Sequence, residues 1–246
     1  PWAPTATDSL ARRRQIYQKF IKDFLRSGQA LDDNLGRLLD YLDAEGLSRE
    51  TIVIYTADQG YFLGEHGHFD KRMMYEEAIR MPFVMRYPAE IPAGQRLDSL
   101  ILHLDFAPTL LDFAGGTPLP AMQGQSFRPL LQGEAQPAWR QDFYYRYWAH
   151  QAHRPAHLGI RTRDEKLIFF YGDDLGRLGA DPAPVPARWA YYDLRSDPQE
   201  TRNRYADPAA QASIARLKAR LLELRRETGD LDGGHARMDS LMRVAW

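Results

Sequence analysis

The chain has 246 residues, 44% of them hydrophobic and 26% charged, a balance that excludes a mainly disordered polypeptide. It fits one large α/β domain, or a medium domain with a small one. Lys and Arg total 32 against 33 Asp and Glu, so the net charge is -1 and nucleic acid is not an expected partner. No run of eighteen apolar residues occurs, so no membrane-spanning helix and no membrane partner are expected. Cysteine is absent, which removes disulfides, thiolate metal sites and a cysteine nucleophile. The opening Pro1-Trp2-Ala3-Pro4 lacks the basic and then apolar pattern of a signal peptide.

In chain order, Asp8 to Gly46 is helical by period. Ile16, Phe20 and Phe24 make one apolar stripe, and Leu31, Leu35, Leu38, Leu39 and Leu42 a second. Gly28 is a candidate break between two helices and Gly46 a stop. The run Thr51-Ile-Val-Ile-Tyr-Thr-Ala57 reads as a strand buried on both faces, as in parallel sheets. Gln59 to Met81 is too long for a simple connector and reads as a functional loop. Pro82 to Tyr87 is a second strand, with a further short one near Ser99–Leu104. Asp105 then caps a helix that ends at the Gly115-Gly116 pair.

The texture changes after about Gly133. Phe143–Trp148, Leu158–Thr162, Lys166–Tyr171 and Trp189–Leu194 are short aromatic strands separated by turn residues. An amphipathic helix follows from about Pro208 to Thr228. The expected organisation is an α/β part over residues 1–140. A small antiparallel sheet-plus-helix subdomain, of α+β type, occupies 141–246.

The chemistry concentrates in Asp58–Arg72. Asp58 and Gln59 follow a strand's carboxyl end, where open α/β sheets place ligands. A carboxylate beside an amide oxygen offers two hard donors for Ca²⁺ or Mg²⁺, although an Asx turn explains the same residues. Lys71 is either a solvated charge or the cation that neutralises an oxyanion held by such a metal. His66 and His68 are open between ligand, proton carrier and loop surface. Glu65, Glu76 and Glu77 read as ordinary loop and helix-start contacts.

The ordered set is more specific than its pieces. It comprises Thr56-Ala-Asp-Gln-Gly60, Leu63-Gly-Glu-His-Gly67, Asp70-Lys-Arg72, Met74-Tyr-Glu-Glu77 and Arg80-Met-Pro-Phe-Val84. Asp105-Phe-Ala-Pro-Thr-Leu-Leu-Asp-Phe-Ala-Gly115, Gly159-Ile-Arg-Thr162, Lys166-Leu-Ile168 and Tyr192-Asp-Leu-Arg-Ser-Asp-Pro-Gln-Glu200 extend it. Together they resemble the C-terminal half of a type I sulfatase, of the alkaline-phosphatase-like superfamily, from about Tyr17 to Leu224. The resemblance implies that Asp58 and Gln59 are calcium ligands and that Lys71 contacts the sulfate catalytically. It also implies that His66, Arg72 and His157 serve the substrate, a sulfated carbohydrate or aryl sulfate, with a strand-edge histidine as the alternative reading of His157. Lys166 is expected to lie outside this chemistry.

The same resemblance implies that a hydrated formylglycine attacks sulfur while calcium and lysines stabilise the developing charge. Its source motif, C/S-x-P-S/A-R, is missing here: there is no cysteine and no serine opens such a run. The chain is therefore expected to be inactive alone, to want an N-terminal half, and to self-associate through an exposed sheet edge. Family resemblance also implies a periplasmic or secreted location. The rival readings are a phosphodiesterase or phosphonate monoester hydrolase of the same superfamily, and a non-catalytic glycan-binding or assembly remnant.

Overall fold

The computed structural model describes residues 2–231 and 235–246, which form two compact units. One unit runs to Tyr55 and adds Val84–Ala93; the other holds Thr56–Phe83 and the chain from Gly94 onward. Each is built differently.

In the first unit, α1 runs unbroken from Ser9 to Ala44, with the Asp8 carboxylate accepting the Ala11 N–H at 2.7 Å as its cap. Gly28 does not divide it. A mid-helix glycine costs only about 1 kcal/mol relative to alanine, and nothing crowds or bends the backbone there. Strands β1 (Val53–Thr56) and β2 (Phe83–Arg86) pair in a two-stranded sheet. A groove of about 330 Å³ is lined by Gly28, Asp32 and Leu35 of α1 with Tyr55 and Val84 of the strands. Tyr55 is 42% and Val84 62% exposed, so these strands are not covered on both faces among the described residues.

The second unit centres on a four-stranded antiparallel sheet in the order β3 (Asp142–Tyr147), β4 (His157–Thr162), β5 (Glu165–Phe170) and β6 (Arg188–Asp193). This is the separate antiparallel sheet expected from the aromatic strands. Its registers pair Tyr145 with Gly159, Gly159 with Ile168, and Ile168 with Ala190. Because successive side chains alternate, the sheet has two buried faces of different character. Leu158, Ile160, Leu167, Phe169, Trp189 and Tyr191 form one face. It packs on Ile214, Leu217, Leu221 and Leu224 of α5 (Gln211–Glu227). Ile168, Phe170, Ala190 and Tyr192 form the other, which packs on Phe62, Met73, Met74 and Ala78 of the long loop and its short helix α2 (Glu76–Ile79). Gly159 lies beneath Met74, where a Cβ would come within 2.6 Å of the Met74 sulfur.

Residues Ser99–Leu104 do not form the expected strand. Asp105, fully buried, takes the Leu102 N–H at 2.7 Å and the Gln125 N–H at 2.9 Å, and pairs with Arg140 through two nitrogens. The backbone turns around that carboxylate through His103–Asp105 instead of extending. The same engagement removes Asp105 from capping α3 (Phe106–Phe113), whose N-cap position it still occupies.

Candidate functional site

The long loop is closed at its base. The Gly60 N–H donates to the Ala78 carbonyl at 2.8 Å, and a Cβ on residue 60 would fall 2.0 Å from the Glu77 carbonyl oxygen. Only glycine permits that approach. Asp58 is exposed two residues past β1, with the Gln59 amide nitrogen 3.5 Å from its carboxylate. The preceding carbonyl, of Ala57, meets the His103 ring nitrogen at 3.0 Å. The arrangement presents one carboxylate and one amide oxygen at the loop's root. Among the described residues no group of three or more His, Asp and Glu is placed to hold a metal ion. The donor chemistry of the pair suits a hard cation, and their number supplies part of its shell.

Asp70 organises the far end of the loop. Its carboxylate accepts the Lys71 N–H at 2.6 Å and binds Arg72 Nη1 at 2.7 and 2.8 Å. Arg154 pairs with the same carboxylate from the segment before β4. The Asp70 carbonyl in turn receives the Phe62 N–H at 2.7 Å. Charge-assisted contacts of this kind are the stronger ones, and they fix the backbone on either side of residue 70. Arg72 is thereby engaged beside its own loop. Lys71 is exposed, and its ammonium has no carboxylate partner among the described residues.

The two candidate histidines point inward. His66 has left-handed backbone angles (φ 53°, ψ 15°), and its ring stacks on Tyr75 at 4.1 Å between centroids. Its Nε2 lies 3.5 Å from the Glu77 carboxylate, and the side chain is 16% exposed. His157 lies on β4, an interior strand, so the alternative reading as a strand-edge histidine does not hold. It is fully buried between Tyr145, Tyr147 and Phe170, and burial holds its imidazole down to about 4. Its Nδ1 bonds the Pro155 carbonyl at 2.8 Å. Burial likewise lowers His68, with His66, Arg154 and His153 adding to the effect.

The structure therefore brings Asp58 with Gln59, and Lys71 with Arg72, onto one closed loop. It turns His66 toward Glu77 and sets His157 within the sheet. Asp70, Arg154 and Glu77 were missed as candidates; a carboxylate directly preceding the candidate lysine was the available signal. Glu76, read as a helix-start contact, does begin α2. Lys166, expected to stand apart, is fully buried against Glu76 at the loop's end, 2.9 Å away.

A family model described as N-sulphoglucosamine sulphohydrolase, C-terminal, matches residues 64–227, and one described as Sulfatase matches residues 2–116. The chain belongs to the sulfatase family. An N-acetylglucosamine-6-O-sulfatase of Bacteroides thetaiotaomicron is 43% identical over 216 residues, covering 86% of this chain and 36% of that protein. A multifunctional alkaline phosphatase superfamily protein of Trinickia caryophylli is 29% identical over 211 residues, or 84% of this chain and 40% of its own length. Among solved structures, one in complex with its substrate D-glucosamine-2-N,6-O-disulfate superposes with a TM-score of 0.82. It is 39% identical, over 92% of this chain and 44% of that one. The sulfatase chain thus spans between a third and a half of the length of these relatives. The fold expectation, the C-terminal part of an alkaline-phosphatase-like sulfatase with an antiparallel subdomain, agrees with these matches.

Proposed function

We propose that this chain supplies the C-terminal part of a site that hydrolyses a sulfate ester on a glucosamine-type sugar. The observation that carries the reading is the state of Lys71. Two guanidinium groups and a backbone N–H already occupy the neighbouring Asp70 carboxylate. That leaves the Lys71 ammonium without a carboxylate partner among the described residues, on the loop that also presents Asp58 and Gln59. A cation whose backbone is held by Asp70, on the same loop as two hard oxygen donors, suits an anionic ester whose charge grows in the transition state. The 43% identical N-acetylglucosamine-6-O-sulfatase and the structure holding a disulfated glucosamine support the sugar class.

In this reading Asp58 and Gln59 would hold calcium, with the remaining ligands coming from outside the pair. When bound, such an ion polarises a sulfate oxygen. Lys71 contacts the same sulfate and steadies its charge. Arg72 and His66 act by shaping the loop, since their polar groups already face Asp70 and Glu77, and His157 acts from within the sheet by packing among Tyr145, Tyr147 and Phe170. The nucleophile is the family's formylglycine, which no residue of this sequence furnishes.

The test joins this chain to the N-terminal part of the Bacteroides relative carrying a matured formylglycine. Glucosamine 6-sulfate and an aryl sulfate are then assayed beside a phenylphosphonate ester. Lys71→Ala should lower sulfate-ester kcat/KM about tenfold or more, the loss of one charge-assisted contact. An unimpaired variant returns Lys71 to a solvated charge. Turnover of the phosphonate alone would favour the phosphonate hydrolase reading.

A further inference from the structure

At the end of the candidate loop, a cluster of largely buried charges is still unaccounted for. Lys166 of β5 is fully buried, with its Nζ 2.9 Å from Glu76 Oε1 and 2.7 Å from Glu200 Oε1. Arg161 of β4 clasps the same Glu76 through Nε at 3.2 Å and Nη2 at 3.0 Å. Glu200 turns back with its other oxygen to accept the Glu76 backbone N–H at 2.7 Å. Glu76 is thus held by both its side chain and its main chain. It is also the residue at which the long loop ends and α2 begins.

Three separate stretches of sequence build this cluster. Arg161 and Lys166 are cross-strand partners on the sheet face beneath the loop. Glu200 sits beyond β6 in a left-handed conformation (φ 52°), its N–H donated to the Asp197 carbonyl at 3.1 Å. A non-glycine residue in that region is strained unless its surroundings insist on it. Two cations face two carboxylates, so the group is balanced only when all four are present. Fully buried charges are unforgiving of a missing partner.

We propose that Lys166 and Glu200 are positioning residues: they anchor Glu76 and thereby set where the loop carrying Asp58, His66 and Lys71 lies on the sheet. Their bearing on the site rests on the sulfate-ester reading above, whereas the anchoring is a property of the chain itself. An ordinary internal ion pair would support the whole sheet equally. This cluster acts at one end of one loop. On the sheet's opposite face, α5 is held by apolar packing that shares none of these charges.

Hydrogen exchange on the full 246-residue chain distinguishes the two. Lys166→Met leaves Glu200 without its cation, and amides of 61–79 should exchange about tenfold faster or more while α5 amides keep their rates. Adding Glu200→Gln to Lys166→Met should return the loop toward wild-type exchange, because the amide oxygen still accepts the Glu76 N–H with no unpaired charge. If Lys166→Met does not fold, Glu200→Gln alone should still quicken exchange over 61–79. Acceleration spread equally over the loop, β3–β6 and α5 overturns the proposal, as does unchanged exchange in every variant. The readout involves no sulfate ester, so failure of the functional reading leaves it standing.

Discussion

Two apolar surfaces of this chain carry similar sequence patterns and meet different fates. Helix α1 has two apolar stripes, yet Leu42 is its one buried side chain, with Leu31 62% and Leu38 51% exposed. Helix α5, half as long, buries Ile214, Leu217, Leu221 and Leu224 against the four-stranded sheet. Periodicity states which face wants cover; only a second layer supplies it. In the second unit that layer is present on both sides of the sheet. In the first it is incomplete among the described residues.

The largest expected effect tests that difference directly. Phe169→Ala, at 0% exposure on the face under α5, should cost about 3–5 kcal/mol of unfolding free energy in urea titration. Leu31→Ala should cost under about 0.5 kcal/mol, as for other surface changes. Comparable losses would break the contrast between the units.

Acid sharpens it next. The folded protein holds His157 at about 4, below its ordinary 6.5, so the unfolded chain binds the extra proton between those values. Stability should therefore fall as pH drops from 6.5 to 4, by on the order of 3 kcal/mol from this group. Glu200 works in the opposite sense: burial pushes it up to about 6 despite Lys166, so its contribution grows as pH falls from 6 toward 4.5. Glu76 is buried too, but Lys166 and Arg161 outweigh that and hold it down to about 2, so its contribution is lost only below 4.5. His157→Phe isolates the histidine. Thermal unfolding of that variant should lose its share of the acid slope, and an unchanged slope would refute the assignment.

The smallest effect concerns solubility. Leu31→Glu with Leu38→Glu should shift stability by less than about 0.5 kcal/mol per site while reducing concentration-dependent light scattering. If scattering is the same in both proteins, α1 is not the surface through which copies associate.

Much of this was legible in the sequence because it is local or periodic. The four aromatic strands, α5 and the glycine-punctuated loop all announce themselves through alternation, a 3.6-residue period or turn chemistry. The pair Asp58–Gln59 and Lys71 stand out as candidates on equally local grounds: the pair follows a strand end, and Lys71 belongs to an ordered motif. What failed was anything decided by a distant partner. Ser99–Leu104 has the composition of a strand, but the Asp105 carboxylate, recruited by Arg140 thirty-five residues on, wraps the backbone around itself. In the sequence Lys166 reads as outside the chemistry and Glu200 as only the last residue of a motif, because each finds its counter-ion in another segment. His157 reads as polar, and only the register of β3, β4 and β5 reveals the aromatic rings that enclose it.

Met73 and Met74, which seat the loop on the sheet, are 4% and 0% exposed. Thioethers so enclosed are sheltered from peroxide, whereas oxidation turns a flexible apolar side chain into a polar one. Met242 of α6 (Ala236–Ala245) offers a built-in reference, because it is only partly buried. The ratio of sulfoxide at Met74 to sulfoxide at Met242 after a brief peroxide pulse is then a chemical clock for loop departure, readable by mass in a single digest. Because Met74 is 0% exposed and lies over Gly159, peroxide is expected to reach its sulfur when the loop lifts. The yield of sulfoxide at Met74 then reports the fraction of time the loop stands open, and the polar sulfoxide disfavours its return to the apolar seat.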